Sequence, residues 1–278
     1  MLRTHPLHPP TAAMLLAAGR GVRMRPLTDT TPKPLLTVRG KPLMQWAMEA
    51  LQAGGFTRLV VNTAWLGEQI EEHFAGWPQT HPGAELAFSH EGQDFGYALE
   101  TAGGISRALP LLGDVFWVLA GDVYAPGFAF NQASVDRFTA SGMLAHIWLV
   151  PNPAHNLRGD FGLSADGRAL NTADGERFTY STIGLYHRAL FEAPWCEVLP
   201  GNPQGAAEPL APLLRRAMDA GRVSAELYTG PWTDVGTPER LKELGYRSGA
   251  PPRRLRRHPP PRGAMRVARR SRFHRILG

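Results

Sequence analysis

Apolar positions in the first half of the chain alternate between continuous runs and helical spacing. Met14 to Ala18 is an apolar run that reads as a first strand and breaks into a glycine-rich loop. After Pro42, the residues Leu43, Trp46, Ala47, Ala50 and Leu51 recur at i, i+3, i+4, i+7 and i+8, the pattern of one helix face, and Gly54-Gly55 stops it. Leu59-Val60-Val61-Asn62 predicts a buried strand. A helix is expected over 67–74 with Ile70, His73 and Phe74 inward, then a short strand over 86–89 and a helix over 101–109. Val115-Phe116-Trp117-Val118-Leu119 is uninterrupted apolar, as in a parallel strand covered on both faces. This β-α-β-α-β alternation predicts an α/β fold, a Rossmann-like three-layer sandwich with a mostly parallel central sheet. In such a sheet, ligands gather at the C-terminal ends of the strands.

Beyond Ala125 the pattern is less regular. Strands are expected over 145–150 and 180–186, a short helix near 188–191, and a helix over 209–220 with Leu210, Leu213, Leu214 and Ala217 inward. Short strands over 226–228 and 232–234 precede a closing helix over 238–244, for which Thr237 is the expected N-cap. No internal repeat is visible. The folded unit is expected over 12–246, after an N-terminal extension, 1–11, and before a tail, 247–278.

Charge changes the picture of that tail. The chain of 278 residues carries a net +6. Residues 249–278 hold ten arginines and no acidic residue, while the preceding 248 carry 20 Lys and Arg against 24 Asp and Glu. The folded part is therefore mildly acidic. Rich in proline and like charge, the tail is not expected to fold alone. It is either an incidental extension or an arm for nucleic acid or anionic lipid, and residues 267–277 could form a short amphipathic helix on a surface. It lacks the interleaved aromatics of a base-stacking arm. No apolar run is long enough to span a bilayer, and residues 1–11 lack a secretory apolar core. The single cysteine, Cys196, fits a reducing compartment. These features give the expectation of a cytoplasmic protein.

Candidate chemistry centres on the loop after the first strand. Ala17, Ala18, Gly19 and Gly21 are small enough for backbone N–H groups to approach a polyphosphate closely. Arg23 and Lys33, the latter between Pro32 and Pro34, can neutralise phosphate charge. Taken singly, these residues also suit a turn and a solvated basic loop. The loop is neither a dinucleotide fingerprint, since Met24 stands where the third glycine would, nor a Walker A motif, since no Gly-Lys-Ser/Thr closes it. Asp122, just past the buried run, and Asp234, in Trp-Thr-Asp-Val-Gly-Thr-Pro, are candidate carboxylates for a hard cation; as Asp in turns they have a structural reading too.

The order L-x-A-G-x-G-x-R-M-x-P-L-T followed by P-K-P, residues 16–34, resembles the signature of the sugar-1-phosphate nucleotidyltransferases. The resemblance covers roughly residues 12–245. It implies the nucleotide-diphospho-sugar transferase type of fold and a loop wrapped around the triphosphate of a nucleoside triphosphate. Arg23 would hold the departing phosphates, and Lys33 would bridge towards the α-phosphate and the sugar phosphate. Asp122 and Asp234 would hold Mg²⁺. Thr101 and Gly103, in Leu-Glu-Thr-Ala-Gly-Gly, fall where relatives read the base, although Thr101 could simply cap a helix. Asn62, Asp160 and Trp232 fall at substrate positions; Asp160, after Gly159, suits sugar hydroxyls or a surface turn.

The segments N-T-A-W-L-G-E-Q-I-E, L-E-T-A-G-G, N-P-x-H-N-x-R-G-D-F and W-T-D-V-G-T-P-E-R-L are similar to the branch of that family that joins UTP to N-acetylmuramic acid 1-phosphate in peptidoglycan recycling. The chain departs from that branch at Ala120, where an Asn is usual, and at residues 93–97, which read as a short insertion. The reaction expected is attack of the sugar phosphate on the α-phosphorus of UTP, giving a UDP-sugar and pyrophosphate. Glucose 1-phosphate or mannose 1-phosphate as acceptor, and a non-catalytic sugar-nucleotide-binding protein, remain as alternatives.

Overall fold

In the computed structural model, residues 11–172 and 175–245 are described. Residues 1–10 of the expected N-terminal extension, the tail 247–278 and the surface helix considered for 267–277 lie outside the described residues.

The chain opens with strand β1 (Ala12–Leu16), three short 3₁₀ turns between Val22 and Leu35, and a small hairpin of β2 (Thr37–Val38) and β3 (Lys41–Pro42). Then follow α1 (Leu43–Ala53), β4 (Arg58–Thr63), α2 (Gly67–Phe74), α3 (Trp77–Thr80), β5 (Glu85–His90), α4 (Glu91–Phe95), α5 (Glu100–Ala108) and β6 (Val115–Ala120). The second half holds β7 (Val123–Tyr124), α6 (Gln132–Ser141), β8 (Ala145–Val150), β9 (Phe161–Leu163), β10 (Ala169–Leu170), β11 (Arg177–His187), α7 (Leu210–Asp219), β12 (Val223–Leu227), β13 (Thr233–Asp234) and α8 (Pro238–Glu243).

Among the described residues, nine strands form the central sheet. Its core, β6-β1-β4-β5, is parallel, as the continuous apolar runs require. β6 is the boundary of that region: parallel to β1 on one side, it is antiparallel to β11 on the other. β11 runs past three partners, β6, β8 and β9, and its register against β8 shifts between Tyr180 and Gly184. Thr182, within that shift, has φ +63°, so the expected strand over 180–186 is one part of a longer, bulged strand.

Helices cover both faces. On one, α5 and α7 bury Ile105, Leu213, Leu214 and Ala217 against Val118, Ile147 and Tyr186. On the other, α1, α2 and α6 pack over Leu15, Val61 and Trp117. There the Trp117 ring stacks on Trp148, with centroids 5.1 Å apart, and meets Phe130 edge-on at 5.0 Å; such pairs add about 0.5–1.5 kcal/mol each beyond burial. α1 turns a slightly different face inward than its spacing suggested. Met44 and Met48 join Leu43, Ala47 and Leu51 in the core, whereas Trp46 and Ala50 are only partly covered. Trp46 is drawn aside because its indole N–H donates to the Val38 carbonyl at 3.2 Å and its ring meets Tyr124 edge-on. α6 has no counterpart among the expected elements; its Asn131 cap accepts from the Ser134 N–H at 2.9 Å.

Candidate active site

The C-terminal ends of β1, β4 and β6 open onto one cavity of about 690 Å³. Ala17, Ala18 and Gly19 line it from the loop after β1, Asn62 from the end of β4, Asp122 from just beyond β6, and Lys33 and Thr101 from the flanks. A second cleft, about 230 Å³, shares Gly19, Lys33 and Asp122 with the first and adds Gly21, Arg23 and Gly236. The expected loop residues therefore converge on two adjoining spaces, as the strand-end rule for open α/β sheets anticipates.

Gly21 makes the loop turn. Its φ is +63°, and its carbonyl accepts from the Met24 N–H at 2.8 Å and the Thr28 hydroxyl at 2.8 Å. A Cβ there would stand 3.0 Å from Thr28 Cγ2, so both backbone conformation and space favour glycine. At Gly19 a Cβ would meet no protein atom within 4 Å; the room beside that backbone is open to a ligand. Trp65 braces the loop from outside. Its indole N–H donates to the Thr28 carbonyl at 2.9 Å, and the Arg20 guanidinium lies 4.4 Å from its ring centroid.

The backbones of Asp122 and Asp234 meet here from distant sequence, with Asp122 lining both cavities and Asp234 neither. β7 pairs with β13, Val123 facing Asp234, and the Val235 N–H donates to the Asp122 carbonyl at 2.9 Å. Asp122 and Asp234 thus sit on neighbouring, hydrogen-bonded backbone. Each is compensated by a cation. The buried Lys33 ammonium pairs with Asp122, and Arg240, from the first turn of α8, donates to Asp234 at 2.5 Å. His155 adds a contact to the same Asp234 oxygen at 2.9 Å. Thr237 starts α8 by accepting from the Arg240 N–H at 3.4 Å, which sets where the Arg240 side chain begins. Among the described residues no group of three or more His, Cys, Asp or Glu forms a metal cage. The pair Asp122 and Asp234 nevertheless suits a hard cation that takes one or two carboxylates and completes its shell with substrate oxygens and water, the habit of Mg²⁺.

Several expected residues are engaged in hydrogen bonds that hold structure. Asn62 uses both ends of its amide: Oδ1 accepts from the Ala17 N–H at 2.8 Å, and Nδ2 donates to Glu91 Oε1 at 2.7 Å. The Gly103 N–H, expected at the base, donates to the Glu208 carbonyl at 2.9 Å, together with that of Ala102 at 2.8 Å. Gly103 is thus a packing position between α5 and the segment before α7, while Thr101, two residues earlier, lines the cavity. Thr101 lies inside α5, whose cap position is Leu99. Asp160, expected at sugar hydroxyls, accepts from the Tyr180 N–H at 2.8 Å and from the Asn156 amide at 3.2 Å, fixing its loop to β11. Trp232 is half-buried and donates from its indole to the Ser181 carbonyl at 3.1 Å.

Sequence reasoning missed Glu91, Arg240 and His155. Glu91 is the largest omission: it is fully buried, lines the cavity, and accepts from Asn62 and from the Leu99 N–H at 2.7 Å. Burial pushes its carboxyl above the usual range, while the Leu99 and Asn62 hydrogen bonds and the Arg107 charge pull the other way. Its only sequence signal was a charged residue directly after a strand. His155 and Arg240 stood within family-like segments, but nothing in their spacing tied them to Asp234.

The fold is a mixed sheet covered by helices, with a small-residue loop, a buried lysine and Asp122 at its strand ends and Asp234 on the neighbouring β7-β13 pair. A profile of the nucleotidyl transferase family matches residues 12–166. The chain is 46% identical over 243 residues to an N-acetylmuramate alpha-1-phosphate uridylyltransferase of Neisseria meningitidis, covering 86% of this chain and 98% of that protein. It is 32% identical over 241 residues to a protein of the same name from Caulobacter vibrioides, covering 83% of this chain and 93% of the other. The fold also matches a solved structure from Yersinia pseudotuberculosis, HddC complexed with GMP-PN, with a TM-score of 0.62 at 17% identity over 84% of this chain and 97% of that one. The chain belongs to the nucleotidyl transferase family and is an enzyme of nucleotidyl transfer. Among the described residues no helix is long and apolar enough to cross a membrane.

Proposed function

We propose that the protein transfers the uridylyl group of UTP to N-acetylmuramic acid 1-phosphate, giving the UDP-sugar and pyrophosphate, as a step of peptidoglycan recycling in the cytoplasm. The observation that carries the reaction is the meeting of the 17–21 loop, Lys33 and Asp122 at one cavity, with Asp234 on the adjoining strand. The choice of sugar and nucleotide rests on the two uridylyltransferase relatives, each similar over nearly its whole length.

In this reading a phosphate oxygen of the sugar 1-phosphate forms a bond to the α-phosphorus of UTP while the bond to the bridging oxygen of the β-phosphate breaks. Pyrophosphate leaves with that electron pair. The attacking phosphate is already anionic at neutral pH, so no general base is required. What the protein must supply is alignment and charge neutralisation. Backbone at Ala17 to Gly19 lines the triphosphate space. Lys33, shared by both cavities, is suited to the α-phosphate, and Arg23, in the outer cleft, to the departing phosphates. Thr101 borders the base end. Asp122 and Asp234 would hold Mg²⁺, which when bound neutralises and polarises the phosphates.

Ala120 lines the cavity at the end of β6, at the position where the similar branch carries an amide. An acceptor other than the muramic sugar is therefore the second reading. Pyrophosphate release with Mg²⁺, UTP and N-acetylmuramic acid 1-phosphate, run beside glucose 1-phosphate and mannose 1-phosphate, tests both. Release with the muramic sugar alone supports the proposal. Release with another acceptor replaces the sugar and keeps the chemistry. UTP binding with no release from any acceptor overturns the catalytic reading in favour of a binding protein.

A further inference from the structure

Three hydrogen bonds in series connect the two ends of the nucleotide space. The Ala17 N–H donates to Asn62 Oδ1 at 2.8 Å, Asn62 Nδ2 donates to Glu91 Oε1 at 2.7 Å, and the Leu99 N–H donates to Glu91 Oε2 at 2.7 Å. Ala17 begins the phosphate loop; Leu99 caps the helix that carries Thr101. The chain of bonds runs along the buried wall of the cavity, with Asn62 and Glu91 3% and 0% exposed. It leaves no slack. A Cβ at Gly104 would stand 2.5 Å from Glu91 Oε1 and 3.0 Å from Asn62 Nδ2, so α5 lies directly on the pair. Glu100, next to Leu99, is held at φ +59°, a conformation that persists in a non-glycine residue only when its surroundings fix it.

Donor and acceptor roles along the series are fully determined. The two N–H groups can only donate. Asn62 must then offer its oxygen to Ala17, which turns its NH₂ toward Glu91, and Glu91 must accept at both oxygens. That pattern is met by a carboxylate and not by a neutral amide.

We propose that Glu91 is a positioning residue for the nucleoside triphosphate: with Asn62 it sets the spacing between the phosphate loop at Ala17 and the base-end segment at Leu99–Thr101. This deepens the nucleotidyl-transfer reading given above and rests on it for the ligand. Both Glu91 oxygens already accept, from Asn62 and from Leu99, so its proposed part is to hold these two segments. Its effect is on how well both ends of one ligand are met at once, so it governs affinity for the whole nucleotide.

The same donor logic supplies a rescue. In Glu91→Gln the new NH₂ faces the NH₂ of Asn62, and one of the three bonds must fail. In the double variant Asn62→Asp with Glu91→Gln, the introduced carboxylate accepts from both Ala17 and the introduced amide, and the oxygen of that amide accepts from Leu99. All three bonds return with carboxylate and amide exchanged. The experiment measures UTP, tripolyphosphate and uridine binding by calorimetry, with thermal unfolding, for the wild type, both single variants and the double variant. Glu91→Gln is expected to weaken UTP by about tenfold or more, with a smaller effect on either fragment, and the double variant to regain most of that loss. Folded Glu91→Gln protein with unchanged UTP affinity overturns the proposal. So does a double variant that recovers its melting temperature without its UTP affinity, since the bonds would then serve stability alone. Should Glu91→Gln fail to fold, the double variant and Asn62→Asp carry the same comparison. Because binding is read directly, a wild type that binds UTP without releasing pyrophosphate removes the catalytic reading and leaves this test intact; a wild type that binds no nucleoside triphosphate overturns this proposal.

Discussion

The Lys33 ammonium, buried between two prolines, pairs with Asp122 from 89 residues further along the chain, at the point where the two cavities meet. Lysine at 9% exposure needs a counter-charge, and Asp122 provides it across the end of the parallel sheet. If Lys33 meets the α-phosphate, the pair must loosen when nucleotide binds, so that Lys33 exchanges one anion for another. Lys33→Met is expected to lower turnover by roughly 10²–10³-fold. Asp122 is itself about a third exposed, so the loss of the pair is expected to cost stability only on the order of 1 kcal/mol. Turnover and thermal melting measured side by side separate the two effects, and a variant with wild-type turnover removes Lys33 from the mechanism.

Asp122 and Asp234 make a parallel case for the cation. Asp122→Asn and Asp234→Asn each keep the shape of the side chain and remove one charge. Pyrophosphate release titrated with Mg²⁺ is expected to show a higher metal requirement and lower maximal rate in both variants. Melting temperatures are expected to change little, because each neutral amide still accepts from Lys33 or Arg240. An unaltered Mg²⁺ titration in Asp234→Asn would show that the β13 carboxylate is no metal ligand.

Gly21 is tested by its backbone. With φ at +63° and Thr28 Cγ2 only 3.0 Å from where an added methyl would sit, Gly21→Ala meets both a conformational and a steric penalty. A cost of about 1–2 kcal/mol in stability is expected, with weaker UTP binding because the loop would reseat. Calorimetry of UTP against thermal melting distinguishes this from a purely local loss.

How much of this was legible in the sequence follows from what each element buries. The strands over 12–16, 58–63 and 115–120 are apolar on both faces, and α2 and α7 keep strict helical spacing, so pattern alone found them. α6 escaped because only Ser134, Val135 and Phe138 of its ten residues are buried, too few to mark a face; its Asn131 cap was the available signal. The expected strand over 180–186 runs through the bulge at Thr182 but omits the start of β11, where Arg177 and Phe178 pair with the short β9. At the candidate site, the loop residues, Lys33 and Asp122, which share one cavity, were legible as an ordered run of small and charged residues, whereas Asp234 was tied to them only through the family resemblance. Glu91, Asn62 and Gly103 do their work through hydrogen bonds to backbone from other segments, which leave no local pattern to read.

Acid should act on His146. Burial holds its imidazole below its usual 6.5, with the Arg137 charge in the same direction and Glu226 opposing. Its Nδ1 lies 2.9 Å from the Ser224 hydroxyl and its ring sits edge-on to Trp148. The unfolded chain therefore binds the proton more readily than the native one. The associated stability is fully present above 6.5 and is lost as pH falls from there through the lowered native value. Melting temperature measured across that window is expected to fall less steeply for His146→Gln than for the wild type. Equal slopes would show that other groups control the acid limb.

Asp160 offers the sharpest contrast between a holding role and a substrate role. Its carboxylate is engaged twice, by the Tyr180 N–H and by Asn156, and Asn156 in turn reaches Thr179 at 3.1 Å. Each oxygen already accepts one bond, and Tyr180, whose N–H is held, lines the cavity while Asp160 is not part of that lining. These bonds favour a role for Asp160 in holding the backbone of β11. Asp160→Ala is expected to cost roughly 1–3 kcal/mol by leaving the Tyr180 N–H unpaired. Asp160→Asn can keep that bond through its carbonyl oxygen, and is expected to leave the KM for the sugar 1-phosphate within about twofold of wild type. A large rise in that KM in Asp160→Asn, at an unchanged melting temperature, would place the carboxylate on the sugar instead.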